Sequence, residues 1–166
     1  MIVGNLVKNF HEPSSFKDRA IDDDILIKLL EAARLAPSAN NTQIWRFYVV
    51  KDQRLLKDIS GLVKKSSFKT APVIIAVFAN PWIVGKRGRE QPFFMIDIPI
   101  AVSHIVLQAT ELDISTAVEY EFDEQKIIGL FNHQKKYRAV ALVALGYQNE
   151  FLPRGDIKTD EMIRES

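Results

Sequence analysis

The 166 residues are 47% hydrophobic and 26% charged, and 22 basic against 21 acidic side chains leave a formal charge of +1. That balance suits one domain with a sizeable core, and gives no electrostatic footprint for nucleic acid or an anionic membrane. Cysteine is absent, which excludes a disulfide framework, zinc-thiolate sites and thiol catalysis.

The opening MIVGNLVKNFHEPSS lacks a charged start followed by a long apolar run, so no signal peptide is predicted. No window reaches the ~18 apolar residues of a spanning helix. The expectation is a single cytoplasmic domain over residues 1–166.

IDDDILIKLLEAARLAP (21–37) reads as a helix. Its aspartates offer an N-cap and a favourable first-turn charge, Ile25, Leu26, Leu29, Leu30 and Ala33 recur at helical spacing, and Pro37 ends it. RFYVV (46–50) is a strand by its β-branched and aromatic content. DQRLLKDISGLVKKS (52–66) suits an amphipathic helix with Leu55, Ile59 and Leu62 on one face, and KKSSFK (64–69) reads as its solvated end. APVIIAVFAN (71–80) is nearly continuous in apolar residues, hence a strand buried on both faces. WIVGKRGREQP (82–92) has no periodicity and reads as a loop.

FFMIDIPIAVSHIVLQATELD (93–113) is apolar on one side at Ile98, Ala101, Val102, Ile105, Ala109 and Leu112, and on the other at Met95, Ile100, Val106 and Leu107. A helix apolar nearly all round is buried nearly all round. In a domain this small that predicts a homodimer, with Val102 and Ile105 expected in its interface. STAVEYEF (115–122) reads as a strand, DEQKIIGLFN (123–132) as a helix capped by Asp123, and YRAVALVALGY (137–147) as a buried strand. The polar tail after it is expected to end in a short helix. Mixed helices and strands give an α+β or α/β sandwich. The G-x-G-x-x-G phosphate fingerprint is absent.

Nothing in the chain points to nucleophilic catalysis. There is no G-x-S-x-G elbow, and His11, His104 and His133 have no partner pattern. His104 reads as a satisfied core or interface histidine, His133 as a helix-end cation, and Asp97 as a helix-surface or interface polar contact. His11-Glu12 would be half a metal site that no second cluster completes. The RGD at 154–156 carries no weight. The polar bend PSANNTQIW (37–45) is different. It is either a helix end running into a turn, or a set of amides and hydroxyls facing a flat heteroaromatic ligand.

LLEAARLAPSANNTQIWRFYVV resembles the nitroreductase family of flavin enzymes. The family pattern is alanine-proline-serine, two variable residues, asparagine, a variable residue, glutamine, proline and tryptophan. Pro37, Ser38, Asn41, Gln43 and Trp45 match, and Ile44 stands for the proline. FKDRAIDDDILIKLLEAA, TAPVIIAVFAN, IDIPIAVSHIVLQATELDISTAVEYEFDEQKIIGLF and YRAVALVALGY resemble further family segments in the family's order.

The resemblance implies an α+β, nitroreductase-like fold with an antiparallel-rich central sheet flanked by helices. It implies a homodimer with FMN shared at the interface, NAD(P)H as electron donor, and a nitroaromatic, quinone or similar acceptor. Pro37, Ser38, Ala39, Asn41 and Gln43 inherit the flavin-lining role toward the partner's FMN. The backbone at Glu119, Tyr120 and Glu121 takes the place near flavin N5. No acid-base residue is obligatory, so no catalytic side chain and no metal are assigned. Two other readings share the fold: a flavin-free binding module, and a flavin store without turnover.

The N-terminal phosphate clamp departs from the family pattern. Aligned on Phe16, Phe10 stands where arginine is expected, Glu12 where serine is expected, and Ser14 where a second basic residue is expected. His11 with Ser14 and Ser15, or Lys8, Lys17 and Arg19, are the substitutes at that end. Arg154 and Lys158 are the candidates for the C-terminal basic pair. Asp113, Ser115 and Val118 replace the usual glycines and tryptophan. These departures predict weak FMN retention.

Overall fold

The computed structural model describes residues 3–82, 86–87, 91–131 and 136–151. Its frame is a four-stranded sheet in the order β2-β3-β7-β6, every neighbouring pair antiparallel. The strands are β2 (Trp45–Val50), β3 (Val73–Ala79), β6 (Ser115–Glu119) and β7 (Arg138–Gly146). All seven residues of β3 are buried, as its unbroken apolar run predicts. Alternation divides them between two cores. Val73, Ile75, Val77 and Ala79 face α2 (Asp23–Arg34) and α4 (Phe94–Glu111), together with Ala141, Val143 and Leu145 of β7. Ile74, Ala76 and Phe78 face the opposite layer, where Leu56 and Ile59 of α3 (Gln53–Ser60) meet Ile127 and Ile128 of α5 (Glu124–Leu130). An extra residue in β7 shifts the register between Val77 and Phe78.

Two helix caps form as their sequences dictate. Asp52 accepts from the Leu55 N–H at 2.9 Å, and Asp123 from the Lys126 N–H at 3.1 Å. At α2, Asp22 occupies the cap position without a side-chain bond. The second amphipathic helix stops at Ser60, short of the expected 66. A 3-10 turn over Ser66–Lys69 follows, with Phe68 1% exposed, so KKSSFK is a packed corner and not a solvated helix end.

Five short elements escape the sequence pattern. α1 (Val3–Asn9) lies on α4. β1 (Pro13–Phe16) pairs antiparallel with β8 (Gln148–Phe151), so the polar tail begins as a strand. β4 (Lys86–Arg87) pairs with β5 (Gln91–Pro92) inside the segment read as a loop. The tail from residue 152, with its expected short helix, and His133 lie outside the described residues.

The buried stripe of α4 is Phe94, Asp97, Ile98, Ala101, Val102, Ile105 and Ala109. Val102 and Ile105 therefore pack into this chain's own core, which corrects their expected place in a dimer interface. Ile96, Pro99, Ile100, Val106 and Leu107 remain half-exposed, and Met95 is 58% exposed. Among the described residues α4 is the one helix long and apolar enough to cross a membrane by length and composition, where the sequence reading expected no such window, and 39% of it is buried inside the chain.

Candidate functional site

The predicted site residues form two groups, and no described hydrogen bond or cavity joins them within one chain. The first is the bend between α2 and β2. Ala39–Asn41 make a 3-10 turn, and Asn40, Asn41 and Gln43 all have positive φ, near 51°, 54° and 45°. Asparagine tolerates that region better than other side chains, which explains the paired asparagines. Ser38 Oγ accepts from the Gln43 N–H at 3.1 Å, Gln43 Nε2 donates to Asn41 Oδ1 at 3.2 Å, and Thr42 Oγ1 donates to the Ala39 carbonyl at 2.8 Å. The amides thus brace one another while Pro37, Asn41 and Gln43 stay exposed and Ser38 and Ala39 half-exposed.

The brace is fastened to α4 by Asp97, which the sequence reading placed on a helix surface or interface. Asp97 is 3% exposed, and both its carboxylate oxygens accept from the Ala39 N–H at 3.2 Å. Burial pushes its carboxyl above the ordinary aspartate range, and the Ala39 N–H pulls it part of the way back. Asp97 also lines a cleft of about 320 Å³ with Pro37, Ser38, Ala39, Ile96 and Ile100. The bend therefore borders the half-exposed face of α4.

The second group surrounds the end of β6. Glu119 Oε1 accepts from the N–H groups of both Tyr120 and Glu121 at 2.8 Å. Lys65 Nζ lies 2.6 Å from Glu12 and 2.5 Å from the Val118 carbonyl oxygen, tying the N-terminal arm to the same strand end. Glu12 is thus a neutralised carboxylate, and Lys65 is a site residue that sequence reasoning missed. Ser14, half-buried in β1, offers its carbonyl to Ser66 Oγ at 3.0 Å. His11 is exposed on the wall of a separate cavity. Arg154 and Lys158 lie outside the described residues. His104 is satisfied, with Nδ1 3.0 Å from the Ala32 carbonyl oxygen. No group of three or more potential metal ligands occurs among the described residues.

This donor set fits a flat heteroaromatic ring better than a hydrolytic centre. Two adjacent backbone N–H groups converge on one acceptor at an exposed strand end, and no nucleophile–base pair accompanies them among the described residues. The four-stranded antiparallel sheet thus lies between two helix layers, with the polar bend pinned beside a half-exposed helix face. The chain belongs to the Nitroreductase family, whose model matches residues 14–68 and 59–147. A protein of Streptococcus pyogenes provisionally named an NAD(P)H nitroreductase is 25% identical over 179 residues, which cover 87% of this chain and 89% of that one. A nitroreductase family protein of Clostridium novyi superposes with a TM-score of 0.85 at 30% identity, covering 90% of this chain and 86% of its own. An FMN-dependent nitroreductase of Clostridium difficile shares the fold, with a TM-score of 0.78 at 24% identity over 94% of this chain and 92% of that one.

Proposed function

We propose that this chain is an FMN-dependent NAD(P)H oxidoreductase that reduces a nitroaromatic, quinone or similar acceptor, working as a homodimer in the cytoplasm. The observation that carries the reading is the bend from Pro37 to Gln43, pinned by Asp97 at the border of an unpartnered apolar stripe on α4. Membership of the Nitroreductase family and the FMN dependence named for the Clostridium difficile protein support it.

When bound, FMN supplies the redox chemistry, taking a hydride from the nicotinamide and passing reducing equivalents to the acceptor. The chain binds, orients and shields. Pro37, Ser38, Ala39, Asn41 and Gln43 of one protomer cover the ring held by the other. The N–H groups of Tyr120 and Glu121 are the ring's donors, once the Glu119 carboxylate that now occupies them swings aside. His11 and Ser14, with Arg154 and Lys158 of the tail, belong to the phosphate and ribityl end. The Lys65–Glu12 pair holds the arm against Val118, tying the arm to the strand end that carries the donor pair.

The test is the visible spectrum of the purified protein. A flavin absorbance that NADH or NADPH bleaches under anaerobic conditions, and that an added quinone restores, is the expected result. Protein that stays colourless after incubation with FMN would refute the reading, and colour that neither reductant bleaches would leave a flavin store.

A further inference from the structure

Ala79, the last residue of β3, is fully buried, and three residues later Trp82 is 79% exposed. An isolated exposed hydrophobic side chain is ordinary on a protein surface. Trp82 differs because a buried polar group is spent on presenting it. Asn80 is 7% exposed, and its Oδ1 accepts from the Trp82 N–H at 3.1 Å. Asparagine followed by proline favours such a turn, and Asn80-Pro81-Trp82 supplies both. The indole itself makes no ring contact, cation–π contact or side-chain hydrogen bond among the described residues. The other tryptophan, Trp45, is 6% exposed in the core.

The turn is rooted beside the bend. The Asn80 N–H donates to the Ile44 carbonyl at 3.2 Å, and Trp45 faces Ala79 across the sheet. The bend therefore enters the sheet, and Trp82 leaves it, at the same end of two strands set about 4.8 Å apart. The excursion that begins at Trp82 comes back through the β4–β5 pair to Phe93, which lines the cleft with Pro37, Ser38 and Ala39. Both its ends thus border the bend. Under the flavin reading the bend covers the ring, so the indole stands at the border where a second substrate arrives. A rigid indole face attracts another flat ring through its quadrupole and its large apolar area. An acceptor without a π face gains nothing from it.

We propose that Trp82 is a specificity-determining residue whose indole stacks on the acceptor, favouring planar, fused-ring quinones and nitroaromatics over acceptors that have no ring. Asn80 is its positioning residue, holding the turn from which the indole projects. The assignment rests on the flavin reading and narrows the acceptor within it.

The measurement is steady-state NAD(P)H oxidation by the FMN-loaded protein with two acceptors, 1,4-naphthoquinone and ferricyanide, the second an octahedral anion with no ring to stack. In Trp82→Ala the ratio of kcat/KM for naphthoquinone to that for ferricyanide is expected to fall about tenfold, an aromatic pair's worth, with the loss in KM rather than kcat. Trp82→Phe keeps a ring and should keep most of the ratio. Trp82→Leu keeps apolar bulk without a π face and should lose it. Calorimetric titration of the oxidised protein with naphthoquinone, no reductant present, should show the same weakening in Trp82→Ala. A ratio that Trp82→Ala leaves at the wild-type value, or that Trp82→Leu preserves, overturns the proposal and leaves the flavin reading standing. So does a Trp82→Ala protein that sediments as a monomer where wild type is a dimer, since the indole then belongs to the subunit interface. Wild-type protein that holds no flavin, or passes electrons to neither acceptor, overturns the flavin reading itself and the proposal with it.

Discussion

Asp97 sits in the first turn of the most buried helix and spends both oxygens on one N–H, that of Ala39, 58 residues away in the chain. Because burial raises its pKa in the fold, Asp97 binds its proton more tightly in the folded than in the unfolded chain. Its stabilising contribution is therefore complete below the unfolded value, about pH 4, and is lost as pH rises through the raised folded value. Asp97→Asn keeps an oxygen acceptor for Ala39 without the buried charge. Urea unfolding at several pH values should show the variant gaining on wild type as pH climbs from about 4 toward neutrality. Asp97→Ala leaves the N–H with no acceptor, at a cost of about 1–3 kcal/mol, and should loosen the bend enough to weaken flavin retention. Glu119 carries the converse expectation. Its carboxylate occupies the two N–H groups proposed as the ring's donors, so Glu119→Ala should tighten riboflavin and FMN together in a fluorescence titration. Unchanged affinity for both would show that those N–H groups do not meet the ring.

Secondary-structure elements differ in how far their residues announced them. β3 and β7 were legible because strands buried on both faces have no polar positions, and α2, α4 and α5 because their apolar spacing or caps are local. β1 and β8 were not, since four-residue strands rich in serine, asparagine and glutamine have no hydrophobic period and exist by pairing with each other. The site divides the same way. Pro37 to Gln43 form one contiguous motif, whereas Asp97 and Lys65 act through partners 58 and 53 residues distant and leave no local trace. The β1–β8 ribbon is held to the sheet at Gly146, where an added Cβ would come within 2.7 Å of Phe16 Cδ1 and 2.9 Å of Pro72 Cδ. Phe16 is 4% exposed and its ring cannot retreat without lifting the arm. Gly146→Ala should cost about 1–3 kcal/mol as an overpacked core does. Amide exchange that quickens relative to wild type in residues 14–16 but not in the four-stranded sheet would locate the damage in the arm.

For the whole molecule, the proposed dimer and the proposed cofactor share one surface. The half-exposed positions Ile96, Pro99, Ile100, Val106 and Leu107 follow one another at helical spacing along α4, with Ser103 exposed among them. The cleft that holds the bend opens beside Ile96 and Ile100. In the dimer that the family resemblance implies, a second copy covering this stripe would also bring its own Pro37–Gln43 to the first copy's flavin site. Dimerisation and flavin retention are then a single event. Ile100→Asp tests this sharply. In a lone chain the position is half-exposed, so a carboxylate there is tolerated, whereas in a dimer it becomes a buried unpaired charge costing about 3–5 kcal/mol. Sedimentation at micromolar concentration should find wild type dimeric and Ile100→Asp monomeric with an unchanged far-UV spectrum. The same preparation should have lost its bound FMN, and excess FMN should drive partial reassociation by mass action. Val102→Asp makes the contrast, since Val102 is 2% exposed in the chain's own core and its substitution should unfold the protomer. A dimer that survives Ile100→Asp with its flavin in place would put the subunit interface on another face.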